Sequence, residues 1–193
     1  MKKIILILLI AAAVSQPVSA QKIRLLPDQA PVAFATELNR LLADARYDFK
    51  NTIDNIKPGT KDDLLFAYYS KVQLPLADSS YMEDALDDFL EEYHQFYAVF
   101  GNYPTKESAR ANFNKLIAYI DKGKYNEGGL QKKPSIENDK SVQQVWTLRG
   151  NKTGDFETAV QLLLKEIKIW PANSVKSELV WTIELSVSEL GDF

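Results

Sequence analysis

The sequence predicts an α+β fold: a mostly antiparallel sheet of about five strands with two main amphipathic helices. Three observations carry that class. Two stretches repeat apolar residues at helical spacing: Phe34, Leu38, Leu41, Leu42 and Ala45, then Ala109, Phe113, Leu116, Ile117 and Ile120. Several other segments alternate apolar and polar residues, the two-residue period of half-buried strands. The segments of the last third are joined by hairpin-length links, which favour antiparallel neighbours.

The chain opens with Lys2 and Lys3, an apolar run from Ile4 to Val14, and the short residues Val18-Ser19-Ala20. That order is the layout of a secretory signal peptide. The apolar run is too short for a membrane anchor, which needs about 20 residues. Residues 1–20 are therefore expected to be a signal peptide and residues 21–193 one α+β domain, exported to the periplasm or beyond and with no stable membrane insertion after cleavage.

The first helix starts near Pro31, whose fixed φ suits a first helical turn, and runs to about residue 47. Beyond it two readings stay open. The helical period continues through Phe49, Ile53 and Ile56 until Pro58-Gly59, or a short strand forms around Phe49 to Ile53. Leu64 to Leu76 alternates and reads as a strand, with Pro75 at an edge or a terminus. In Glu83 to Glu92, Leu86, Phe89, Leu90 and Tyr93 fall at helical spacing among six acids, which predicts a short helix or an acidic loop. Tyr93 to Phe100 reads as a strand that Gly101-Asn102 ends. Thr105 is placed as an N-cap, and Gly123 stops the second helix.

Lys122 to Asp139, with three Gly and Pro134, predicts a mobile loop. Three strands follow, at Val142–Arg149, Phe156–Ile169 and Leu179–Val187. In the middle one the apolar residues change parity between Leu164 and Ile167, which predicts a bulge near Lys165-Glu166. Trp146 and Trp181 sit on the apolar parity of their segments and are expected in the core on neighbouring strands.

Composition excludes much chemistry. The chain has no Cys and one His, so thiol catalysis, zinc–thiolate sites and multi-His metal sites are out. No metal or cofactor is expected. The whole chain holds 23 Lys+Arg against 26 Asp+Glu, and losing Lys2 and Lys3 leaves 21 against 26, a net charge of −5. A mildly acidic domain of this kind is a poor partner for nucleic acid.

The candidate sites are few. The acids from Glu83 to Glu92 are interrupted by Ala85, Leu86, Phe89 and Leu90, so they suit a solvated helix face better than a cation loop. His94, with Glu91 or Glu92 near it, is a candidate general base, but no nucleophile motif accompanies it. The Lys-rich loop reads as solvated. The aromatics crowding the middle of the chain mostly suit a core. The segment from Tyr93 to Phe100 differs, because it is apolar on both faces. Such a strand is covered on both sides or leaves one side for a partner. Tyr93, Tyr97 and Tyr103 are therefore the candidate contact residues.

The stretch Val99-Phe100-Gly101-Asn102-Tyr103-Pro104-Thr105-Lys106-Glu107-Ser108-Ala109, with Leu116 seven residues on, resembles the first strand-and-helix unit of SPOR domains. The resemblance implies binding of denuded peptidoglycan glycan strands, and makes a cell-wall glycan a candidate partner. It covers about 20 residues, and three strands with no second helix follow it here.

The function expected from these readings is an exported, non-enzymatic domain that binds a protein or small ligand through its sheet. A peptidoglycan-glycan-binding, SPOR-like module is the first alternative. A carboxylate-dependent hydrolase is the second, and needs two carboxylates about 5–10 Å apart. If the signal is cleaved after Ala20, mass spectrometry of the exported protein will show Gln21 as its first residue. A mature chain that keeps Met1 would refute both the compartment and the charge of −5.

Overall fold

The computed structural model describes residues 30–56, 67–86, 92–125, 129–149, 157–171 and 176–190. The expected signal segment lies outside them. The elements in chain order are α1 (Ala30–Ala45), β1 (Ile53–Ile56), β2 (Ala67–Ser70), β3 (Ser79–Leu86), β4 (Glu92–Tyr103), α2 (Lys106–Lys122), β5 (Gln131–Lys132), β6 (Ile136–Glu137), β7 (Ser141–Arg149), β8 (Glu157–Ile169) and β9 (Glu178–Leu190). The strands form one antiparallel sheet in the order β1-β2-β3-β4-β9-β8-β7-β5, with β6 also paired to β7. No described helix is long and apolar enough to cross a membrane.

The α+β class and both helices stand. The strand number is corrected from about five to nine. Four of the nine, β1, β2, β5 and β6, have only two to four residues, too few to display an alternation. A fifth, β3, contradicts the expected helix or acidic loop at its end of Glu83 to Glu92. Met82 and Asp84 turn inward while Tyr81 and Glu83 turn outward, so the two-residue period prevails there.

α1 ends at Ala45 because the buried Asp44 carboxylate collects the groups that follow. It accepts from the Asn51 backbone N–H (3.0 Å), the Asn51 amide (2.6 Å) and the Thr52 hydroxyl (2.7 Å). The turn passes through Asp48 and Phe49 at φ 51° and 56° and drives Phe49 fully into the core. Of the two readings of residues 48–57, a strand is therefore correct, shifted to Ile53–Ile56. From Leu64 to Leu76 only Ala67–Ser70 is strand. Residues 64–66 lie outside the described part, and Val72 and Leu74 enter the core from turns.

Thr105 caps α2 as expected, its hydroxyl accepting from the Ser108 N–H at 3.2 Å. The segment expected as a mobile loop is corrected in part. Its described portion folds back along β7 and is clipped to α2: Arg110 pairs with Glu137, and Lys132 Nζ donates to Asp121 at 2.6 Å. The bulge expected near Lys165 is absent, since β8 and β9 pair residue for residue from Glu157↔Leu190 to Ile169↔Glu178. The parity change has another cause. Beyond Lys165 the β8–β9 hairpin outruns both β7 and β4, so Ile167 and Ile169 belong to a two-stranded ribbon past the core.

Both helices pack on one face of the sheet. Phe34, Leu38, Phe113 and Ile120 meet Phe96, Leu162, Ile183, Leu185 and Trp146 there. Trp146 and Trp181 are both buried as expected, but β8 separates their strands. The Trp146 ring is sealed, and its Nε1–H donates to Asp121 at 2.8 Å. Trp146→Ala should cost about 3–5 kcal/mol in denaturant unfolding, the range for large buried aromatics. A loss below about 1 kcal/mol would show that the β7 side chains do not face this core.

Candidate functional site: the sheet face opposite the helices

Along β4 the residues Phe96, Ala98 and Phe100 face the helices and are buried. Tyr93, Gln95, Tyr97 and Val99 therefore face the other way. No described helix covers that side. The backbone register continues the row across the sheet, from Tyr69 on β2 to Tyr81 on β3, Tyr97 on β4 and Ser186 on β9. Three tyrosines thus stand side by side on consecutive strands.

The middle of that row is ordered by direct ring contact. Tyr81 and Tyr97 stack with centroids 5.3 Å apart and planes 15° from parallel. The flat stack uses one face of each ring, and both tyrosines are half-buried. Tyr97 Oη donates to Gln95 Oε1 at 2.8 Å. Tyr69, at the end of the row, is 48% exposed.

Two carboxylates flank the stack. Burial, and then the charges of Glu83 and Glu184, push the Tyr97 phenol up to about 12 and raise Tyr81 well above its ordinary value. Both rings therefore carry O–H donors throughout the neutral range. Glu184 accepts from Lys165 Nζ at 3.1 and 3.2 Å through its two oxygens. The resulting surface combines aromatic rings, phenol oxygens and an ion pair, a set that suits a ligand held by several weak polar contacts around an apolar centre.

The structure brings Tyr93 and Tyr97 together on this face and separates Tyr103 from them. Between Val99 and Asn102 the β4–β9 register slips by one residue. Gly101, at φ 92°, supplies the left-handed conformation that the bulge requires, and its carbonyl accepts from the Thr182 hydroxyl. Gly101 thus interrupts a strand that continues to Tyr103, where the sequence predicts an end. After the bulge Tyr103 pairs with Trp181 and packs against the helix-side core, its hydroxyl donating to Phe100 O at 2.6 Å.

His94 lies on the helix side, and its partners are not the glutamates that its neighbourhood in sequence indicates. Nδ1 is 2.6 Å from Asp48 Oδ2, and Nε2 is 3.3 Å from Asp84 Oδ1. The Asp48 carboxylate also accepts the His94 backbone N–H, and Tyr68 Oη donates to Asp84 at 3.2 Å. These contacts tie β4 and β3 to the turn after α1. Among the described residues no group of three or more His, Asp and Glu has the geometry to hold a metal ion.

Tyr69, Tyr81, Glu83 and Glu184 are site residues that reading the sequence misses. The signal for Tyr81 and Glu83 was the alternation from Ser79 to Asp84, masked by the helical spacing beyond it. Glu184 is legible as the polar parity of β9, but nothing local shows that it stands beside the tyrosines.

The strand–turn–helix unit that resembles the start of a SPOR domain is present as the end of β4, the Thr105 cap and α2. Only strands follow it among the described residues. No protein-family model, no curated protein and no solved structure matches this chain.

The stacked phenols give a pH dependence. An unfolded tyrosine ionises near pH 10, whereas folded Tyr97 keeps its proton to about 12. The unfolded chain therefore binds fewer protons between those values, and stability falls as pH rises through that window. Below pH 10 the contribution is fully present. Allowing for screening on a half-open face, the loss at Tyr97 is about 1–2 kcal/mol. Urea unfolding at pH 9 and pH 12 should show a smaller fall in Tyr97→Phe than in the wild type. An equal fall in both proteins would remove Tyr97 as a cause.

Proposed function

We propose that this chain is an exported, non-enzymatic binding domain that takes a protein or small ligand on the sheet face opposite its helices. The observation that carries the reading is the Tyr69–Tyr81–Tyr97 row on a face to which neither helix contributes. Half-buried aromatics with polar groups at their edges are the usual anchors of recognition surfaces. The core is already satisfied on the other side, so packing alone does not call for three tyrosines here.

The hydrolase alternative is less well supported. Its two carboxylates on this face would be Glu83 and Glu184, and Lys165 contacts both oxygens of Glu184. That arrangement serves an ion pair and not a proton donor. A glycan strand remains within the proposal as one small-ligand class, since hydroxyl-rich ligands suit phenol and amide edges.

Photocrosslinking in intact cells tests the proposal. A photoreactive phenylalanine replaces Tyr69 at the end of the row, or Tyr47 as a control of greater access. Tyr47 is 69% exposed and lies just after α1. A specific adduct should form from position 69 and not from position 47, and Tyr97→Ala should reduce it at least fivefold with little change in melting temperature. Retention on insoluble peptidoglycan then reports whether the partner is the glycan. Equal adducts from both positions, or an adduct that ignores Tyr97→Ala, would overturn the reading.

A further inference from the structure

A second concavity lies between the two helices, separate from the tyrosine face. It measures about 380 Å³ and is lined by Pro31, Val32 and Ala35 of α1 and by Tyr119, Lys122 and Lys124 at and just beyond the end of α2. The size falls within the range of small-molecule sites, about 300–1,000 Å³. Its polar lining is largely spent on internal bonds. The Thr36 hydroxyl donates to Val32 O at 2.9 Å, and the Asn39 amide donates to Lys124 O at 2.7 Å. The Ile120 carbonyl accepts from both the Gly123 N–H and the Tyr125 hydroxyl.

What remains is the apolar surface of Val32, Ala35 and Tyr119 beside two lysines. Val32 is 69% exposed. Lys122 and Lys124 are exposed, and neither forms an ion pair with a described residue. Lys115 stands close by, its Nζ 5.7 Å from the Tyr119 ring centroid. No acidic residue lines the concavity. An occupant that is apolar along its length and negative at one end complements both features.

We infer that this groove binds a free long-chain carboxylate, a fatty acid, with its chain against Val32, Ala35 and Tyr119 and its head between Lys122 and Lys124. The chain is held by removal of apolar surface from water, and the head by charge-assisted hydrogen bonds. A neutral or cationic chain of the same length gains only the first. The inference is independent of the sheet-face proposal and shares no residue with it.

Isothermal titration of the purified chain with sodium hexadecanoate, kept below its critical micelle concentration, tests the site. One saturable event is expected. Each methylene removed from the ligand should weaken binding up to about fourfold. The charge reversal Lys122→Glu/Lys124→Glu should weaken it at least tenfold at an unchanged melting temperature. Val32→Glu, at an exposed position, should weaken it as well without unfolding the protein. The inference is overturned by absence of saturable binding, by equal affinity for hexadecanol or hexadecyltrimethylammonium, or by indifference to the lysine reversal. It is also overturned if anionic vesicles free of fatty acid bind the same lysines more tightly, which would make the ligand a membrane surface.

Discussion

The architecture depends on one strand, β9, the last of the chain. In the order β1-β2-β3-β4-β9-β8-β7-β5 it alone joins the strands before α2 to the strands after it. On one side it pairs with every residue of β8, and on the other it pairs with β4 from Phe96 to Tyr103. Ile183, Leu185 and Val187 bury their side chains under the helices. The hydrophobic layer is continuous only because this strand fills the centre. Pairings between β4 and β9 join residues about half the chain apart, so loop-closure entropy must be met before these contacts form, and such topologies fold slowly.

Two carboxylates, the buried Asp44 and the exposed Asp121, fix what the hydrophobic layer cannot. Asp44 gathers three donors from Asn51 and Thr52 and so sets the turn after α1. That turn places Phe49 in the core and brings Asp48 to the ring of His94. Asp121 does the equivalent at the end of α2, accepting from Trp146 on β7 and from Lys132 on β5. Apolar packing is non-directional, whereas these bonds have a required geometry. They therefore determine which way each helix end meets the sheet.

Helices were legible in the sequence because their signals are local. The stripes through Phe34–Ala45 and Ala109–Ile120, the Thr105 cap and the Gly123 stop each lie within one element. The long strands β7, β8 and β9 were legible for the same reason. The short strands were not, since two to four residues hold no period. β3 was misread because its end, Glu83 to Leu86, was read together with the helical spacing of Leu86, Phe89 and Leu90 in the sequence. Tyr93 and Tyr97 were placed on one face correctly by parity alone, and Tyr103 was not, because a single left-handed glycine reverses parity between them. The stack of Tyr97 on Tyr81 and the clasp of His94 by Asp48 depend on strand register and on a contact across 46 residues. Neither is written in any local pattern.

The short outer strands have a further consequence. A nine-stranded sheet with long free margins would template pairing with other copies of itself. Among the described residues one margin is β1, four residues long. The other is β7, whose outer side is occupied in two places by the two-residue strands β5 and β6. Lys132, Lys133 and Pro134 stand in and between those two strands: two lysines committed to Asp121 and Glu157, and a residue with no N–H to offer a neighbour. The segment that looked like a featureless loop thus acts as a guard rail. It leaves β7 only short stretches of outer edge to offer another strand.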